Sequence, residues 1–143
     1  MAVDTTYLKG EGNSLNNVCL GNAFTKSFVI DAAVNAITNA DVLKLMTIPA
    51  DTVIEGAVCN VITAEGSALT VNVGDYTIAT DIAIDADNFL GAIDCNAVAK
   101  TLDAAPVTAA YYGAKTAYVG ALFSAAVAAA KVEIIIYGRK LTV

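Results

Sequence analysis

Asp75, Asp81, Asp85, Asp87 and Asp94 fall within twenty residues, and by type they are the strongest candidates for binding or catalysis. Asp85-Ala86-Asp87-Asn88 has the oxygen-rich opening of a calcium loop. The Gly needed for its sharp turn is missing, however, and Asn96 stands where a bidentate Glu is required. The carboxylates therefore read as solvated loop groups, with no metal expected. A glycosidase would hold two carboxyls about 5–10 Å apart in a cleft lined with sugar-stacking aromatics. This chain has no Trp, and aromatics make up 7% of it. It also has no His, which removes Ser–His and Cys–His nucleophiles, His-ligated zinc and the ordinary near-neutral proton carrier. No GxGxxG or GxxxxGK[ST] loop is present to cradle a phosphate. The expectation is a protein that is not an enzyme and takes no cofactor.

Cys19, Cys59 and Cys95 are an odd number at wide spacing, unlike a CxxC metal or redox pair. They read as small buried thiols, although spacing alone leaves a disulfide between two of them open. Eight Lys and Arg against fourteen Asp and Glu give a net charge of −6, the wrong sign for a nucleic-acid binder. Residues 116–130 are weakly polar but too short to span a bilayer, which needs about 20 apolar residues, so no membrane association is expected. Residues 1–17 lack a basic region followed by an apolar core. No secretory leader is expected there, and synthesis in a reducing cytoplasm is.

What remains are residues suited to contact. Tyr7, Leu8 and Leu15 (with Val18 and Leu20) are apolar anchors in an otherwise polar, Asn- and Gly-rich stretch. Phe89 and Leu90, and Tyr111 and Tyr112, are bulky groups in segments that read as loops. Aromatics are enriched at interface cores, so these seven residues are the candidate partner interface.

The elements that must carry them are β-strands. Hydrophobic residues make up 57% of the chain and charged residues 15%, and the apolar share is mostly Ala, Val and Ile, which suit pleated, half-buried surfaces. Residues 1–24 read as an extended N-terminal arm, and 25–143 as one domain. Strands are expected at 27–30, 41–48, 52–63, 68–73, 76–84, 98–102, 115–123 and 131–137. Residues 31–39 read as a helical turn or loop, Pro49-Ala50-Asp51 as a turn, and Gly56 as a bulge within its strand. Leu69, Val71 and Val73 share one face of their strand; Tyr76, Ile78, Ile82 and Ile84 share one face of the next, with Gly74-Asp75 as a tight turn between. Residues 85–96 read as a loop. The segments 115–123 and 131–137 read as a closing hairpin, and the Ala-rich 124–130 between them competes as a short helix. About eight strands at this spacing predict an all-β fold, an antiparallel β-sandwich or jelly-roll-like barrel. Val53, Ala57 and Val61 opposite Ile54, Val58 and Ile62 would leave apolar side chains on a second face, for other subunits to cover.

Several strings carry a family likeness: Ile48-Pro49-Ala50-Asp51-Thr52, Val61-Ile62-Thr63-Ala64-Glu65-Gly66 and Leu69-Thr70-Val71-Asn72-Val73-Gly74-Asp75. Ala117-Tyr118-Val119 and Val132-Glu133-Ile134-Ile135-Ile136-Tyr137-Gly138 follow near the end. Together they resemble the head-decoration or capsid-cement proteins of tailed bacteriophages, over about two thirds of the chain. The resemblance implies a β-sandwich on the outer capsid surface of the virion, a homotrimer whose partner is the major capsid protein. It would clamp neighbouring capsid subunits against internal pressure, with residues 1–24 as a strap. The Ala-rich 124–130 departs from that pattern. Two other readings stand beside it: a carbohydrate- or receptor-binding β-module using the 85–96 and 110–115 loops, and another virion part such as a tail or fibre element.

Overall fold

The computed structural model describes residues 23–38, 42–102 and 110–141, and among them every regular element is a strand. These are β1 (Ala23–Asp31), β2 (Val42–Thr47), β3 (Thr52–Thr63), β4 (Thr70–Thr77) and β5 (Ala83–Asp94), then β6 (Ala99–Leu102), β7 (Ala110–Tyr112), β8 (Ala117–Phe123) and β9 (Lys131–Lys140). They form two sheets. The first runs β1-β9-β3-β6, with β7 also on β3; the second runs β2-β8-β4-β5. β6 lies along Val58–Val61 and β7 along Thr52–Ile54. The two short pieces therefore share one position beside β3, giving eight positions, four per sheet. All the pairings are antiparallel. The chain crosses between sheets at nearly every connection, and β4–β5 is the one pair of consecutive strands that lie side by side. This is jelly-roll order within a β-sandwich.

The core lies between the sheets. Val132, Ile134 and Ile136 of β9 are fully buried, as their alternation requires. They meet Val71 and Val73 of β4, and Val119, Ala121 and Phe123 of β8, in one apolar cluster. The expected bulge in β3 is present: its register against β9 shifts between Ile54 and Gly56. That extra residue reverses the alternation. Ile54 faces inward before it, and Ala57, Cys59 and Val61 face inward after it, all with no exposure. Ala57 and Val61 are thus core residues, whereas Val53, Val58 and Ile62 lie on the outer side, half-buried or exposed.

The strand spanning Gly74-Asp75 also departs from expectation. β4 continues through both residues, and the turn comes at 78–82. Gly74 is present because β5 passes very close: a Cβ there would stand 2.1 Å from the Asp85 carbonyl oxygen. Moving the turn takes Ile78, Ile82 and Ile84 away from the face of Tyr76, which alone of the four is buried.

Residues 85–96 are not a loop, since β5 occupies most of them. Asp-rich strands are uncommon, but β5 is the edge of its sheet, where carboxylates stay in water and block unwanted pairing. The closing hairpin is also absent. β8 and β9 belong to different sheets, and 124–130 bridges them without a helix, through an isolated Ile37–Val127 pairing. Within the proposed arm, residues 1–22 lie outside the described residues, and β1 already begins at Ala23.

Candidate interaction surface

The predicted contact residues separate. Tyr7, Leu8 and Leu15 lie outside the described residues. Phe89 and Leu90 sit side by side on β5 with 0% and 1% exposure, so they fill this chain's own core and present no surface to a partner. Both turn inward because the β4–β5 ladder is irregular there, with register shifts on either side of Val73. Tyr111 and Tyr112 are neighbours on β7 and so point to opposite sides. Tyr111 is exposed and donates its hydroxyl to Asp51 Oδ1 at 3.1 Å. Tyr112 turns inward and donates to Asp75 Oδ2 at 2.6 Å.

Asp75 anchors the electrostatics of this end of the second sheet. It is 3% exposed and also accepts the Asp85 backbone N–H at 3.1 Å. Burial, then the bond to Asp75, pushes the Tyr112 phenol far above its ordinary range. Burial, then Asp75 and Asp87, raises Tyr76 as well. Asp87 is raised chiefly by its hydrogen bond with Asp85 and by that group's charge. The ion pairs found among the described residues, Lys44–Asp81, Lys131–Asp31 and Arg139–Glu55, leave these three carboxylates without a cation. The local potential is therefore negative. Among the described residues no group of three or more His, Cys, Asp or Glu is placed to hold a metal ion.

Next to this acidic strip, the β4–β5 connection carries a feature absent from the sequence reading. Ile78, Ile82 and Ile84 are 40%, 62% and 56% exposed. The turn beneath them is well ordered by hydrogen bonds. Thr77 N donates to Ile82 O at 2.9 Å, Asp81 N donates to Thr77 O at 3.0 Å, and the Thr77 and Thr80 hydroxyls share a 2.6 Å bond. Asp81 takes the left-handed conformation, φ 54°, and its carboxylate meets Lys44 Nζ at 2.8 Å. Ile78 N donates to Thr116 O at 2.9 Å, which ties the tip to the segment before β8. The sequence signal was Ala79-Thr80-Asp81, a small, polar interruption between two isoleucines that alternation alone reads as continuous strand.

At the other connections Glu65 acts as a clasp. Its carboxylate accepts three consecutive backbone N–H groups, those of Ala128, Ala129 and Ala130, at 3.0, 2.9 and 2.7 Å. Three successive amides aimed at one anion form a nest, and the first of these bonds is the main reason the Glu65 carboxyl is held below its usual range. The nest explains why an Ala-rich run stays non-helical: its amides are occupied by a side chain from the β3–β4 connection.

No protein-family model matches the chain, and no curated protein matches it. Solved structures do match in fold. A chain from the acidic stable capsid structure of Helicobacter pylori bacteriophage KHP30 aligns with TM-score 0.59 at 16% identity, covering 85% of this chain and 90% of that one. A chain from the capsid asymmetric unit of cyanophage Pam1 aligns with TM-score 0.58 at 12% identity, covering 84% and 86%. A chain from the capsid of Ralstonia phage GP4 gives 0.57 at 15% identity, covering 86% and 87%.

Proposed function

We propose that this chain is a structural virion protein that decorates a phage capsid and stabilises it by clamping neighbouring capsid subunits. One observation carries the reading: chains from three phage capsids share the fold along most of both partners' lengths. The near-complete coverage in both directions means that those chains are about as long as this one. A clamp works by burying apolar surface and adding strands to a neighbour's edge, and needs no titrating side chain. A chain with 57% hydrophobic residues, no His and one Arg suits that work. In this reading the protein sits on the outer capsid surface as a homotrimer, with the major capsid protein as partner. Residues 1–24 serve as the strap, and synthesis takes place in the host cytoplasm.

The test is to purify the chain, weigh it by light scattering and add it to expanded capsid shells that lack it. Stoichiometric binding and a raised shell melting temperature are expected, with density on the outer surface in an imaged particle. A monodisperse monomer that leaves the shell's stability unchanged would sink the reading.

A further inference from the structure

We propose that the β4–β5 tip is the docking knob of this chain, seated in an apolar socket rimmed by Lys or Arg on a neighbouring capsid subunit. The inference rests on the capsid-decoration reading and names the surface and the partner chemistry within it.

The first ground is exposure. Residues 78–85 are all exposed, and three of these eight are isoleucines. Elsewhere among the described residues the large exposed apolar side chains (Val29, Val34, Ile62, Val98, Tyr111 and Leu141) come one to a strand or connection. Concentrated apolar surface of this kind marks an interaction site. The second ground is order. The Thr77 and Asp81 bonds, the Lys44 ion pair and the Ile78 amide hold the tip in one shape, so little freedom is lost on docking.

The third ground is charge, which selects the occupant. Asp85 and Asp87 follow Ile84 closely on β5, with the Asp75 carboxylate beneath, and none of the three is in an ion pair among the described residues. A second copy docked tip to tip would set these carboxylates against their own images, a like-charge contact that costs several kcal/mol. Relief from its own cations is limited, since Lys44, Lys131 and Arg139, three of its eight Lys and Arg, already pair within the chain, and Asp and Glu outnumber Lys and Arg by six. A socket with a basic rim removes the repulsion and covers the isoleucines at once.

The experiment measures binding of the full chain to parent-phage shells assembled without it, over a salt series. Ile82→Ser with Ile84→Ser is expected to weaken binding at least tenfold. Asp85→Asn with Asp87→Asn should weaken it less and flatten its salt dependence, because exposed charge pairs are screened. Val34→Ser, on a different connection, is the control and should bind as wild type. These positions are exposed, so each variant should keep the wild-type unfolding midpoint. Wild-type binding that the double serine variant retains in full would overturn the knob and leave the decoration reading standing. Binding insensitive to salt and to the double Asn variant would overturn the basic rim. A fall in the free protein's mass in the double serine variant would assign the tip to a second copy instead. Failure of the wild-type chain to bind would defeat the decoration reading itself.

Discussion

The Tyr112 hydroxyl, on β7 of the first sheet, donates to the Asp75 carboxylate, on β4 of the second, at 2.6 Å. A short bond to a buried carboxylate is charge-assisted and stronger than a neutral one. It also spans the sandwich, so it joins the sheets by something more directional than apolar packing.

Tyr112→Phe should therefore cost about 1.5–3 kcal/mol, the range for hydrogen bonds to charged groups. Tyr76→Phe makes the comparison. The Tyr76 ring stacks on Tyr118 at 5.5 Å, but its buried hydroxyl has no hydrogen-bond partner among the described residues. Removing that hydroxyl should leave stability unchanged or raise it by about 1 kcal/mol. Urea unfolding of the two variants side by side checks both.

Glu65→Gln should lower stability at pH 7 by about 1 kcal/mol, the size of a lost helix cap. The sign of the pH dependence follows from the lowered carboxyl. Its stabilisation is complete above the unfolded value, near 4.5, and is lost as pH falls through the lower folded value. The difference between wild type and variant should thus shrink below about pH 4.5. Thermal melts of both proteins from pH 7 to 3 measure this, and a constant difference would count against the clasp.

Two glycines should respond differently to alanine. At Gly74 the new methyl would meet the β5 backbone, so Gly74→Ala should cost about 3 kcal/mol or more, or prevent folding. At Gly66, φ is 87° and nothing lies within 4 Å of the added Cβ, so only backbone strain of about 1 kcal/mol is expected. Denaturation midpoints of the two variants give the comparison.

Cys59 and Cys95 should be silent to a thiol reagent in the folded protein at pH 8. Burial, the leading cause for both, pushes the thiols up to about 12 and about 11, so almost no reactive thiolate is present. A thiol count above one before denaturation would contradict this, as Cys19 is the third cysteine.

β9 and β3 were legible from the sequence, the first through strict alternation and the second as a long β-branched run between turn signals. β9 declares itself through Val132, Ile134 and Ile136, and β3 was bounded correctly from Thr52 to Thr63. Reading failed where the backbone breaks the period. The bulge before Gly56 re-sorted the β3 faces, and the close approach at Gly74 looked like a turn because glycine serves both purposes. β5 was hidden by its carboxylates, which describe the water beside an edge strand rather than the absence of one. Among the candidate contact residues Tyr111 lies at the surface, whereas Phe89 and Leu90 are core. A pair of bulky groups in a polar stretch looks the same from the sequence in either case. The isoleucine tip was missed because its position depends on where the turn falls.

The place of β9 has a consequence for how the molecule comes into being. It lies between β1 and β3, pairing Ala23 with Arg139 on one side and Val61 with Val132 on the other. Until β9 is in place the first sheet has no middle, and β1 and β3 have nothing to join them. Among the described strands only the β4–β5 hairpin can form from neighbouring sequence; the other ladders close over long stretches of chain, which makes folding slow. The first sheet would thus stay open until β9 arrives. Its apolar strands become fit to meet a partner in one step, when that central strand slots in.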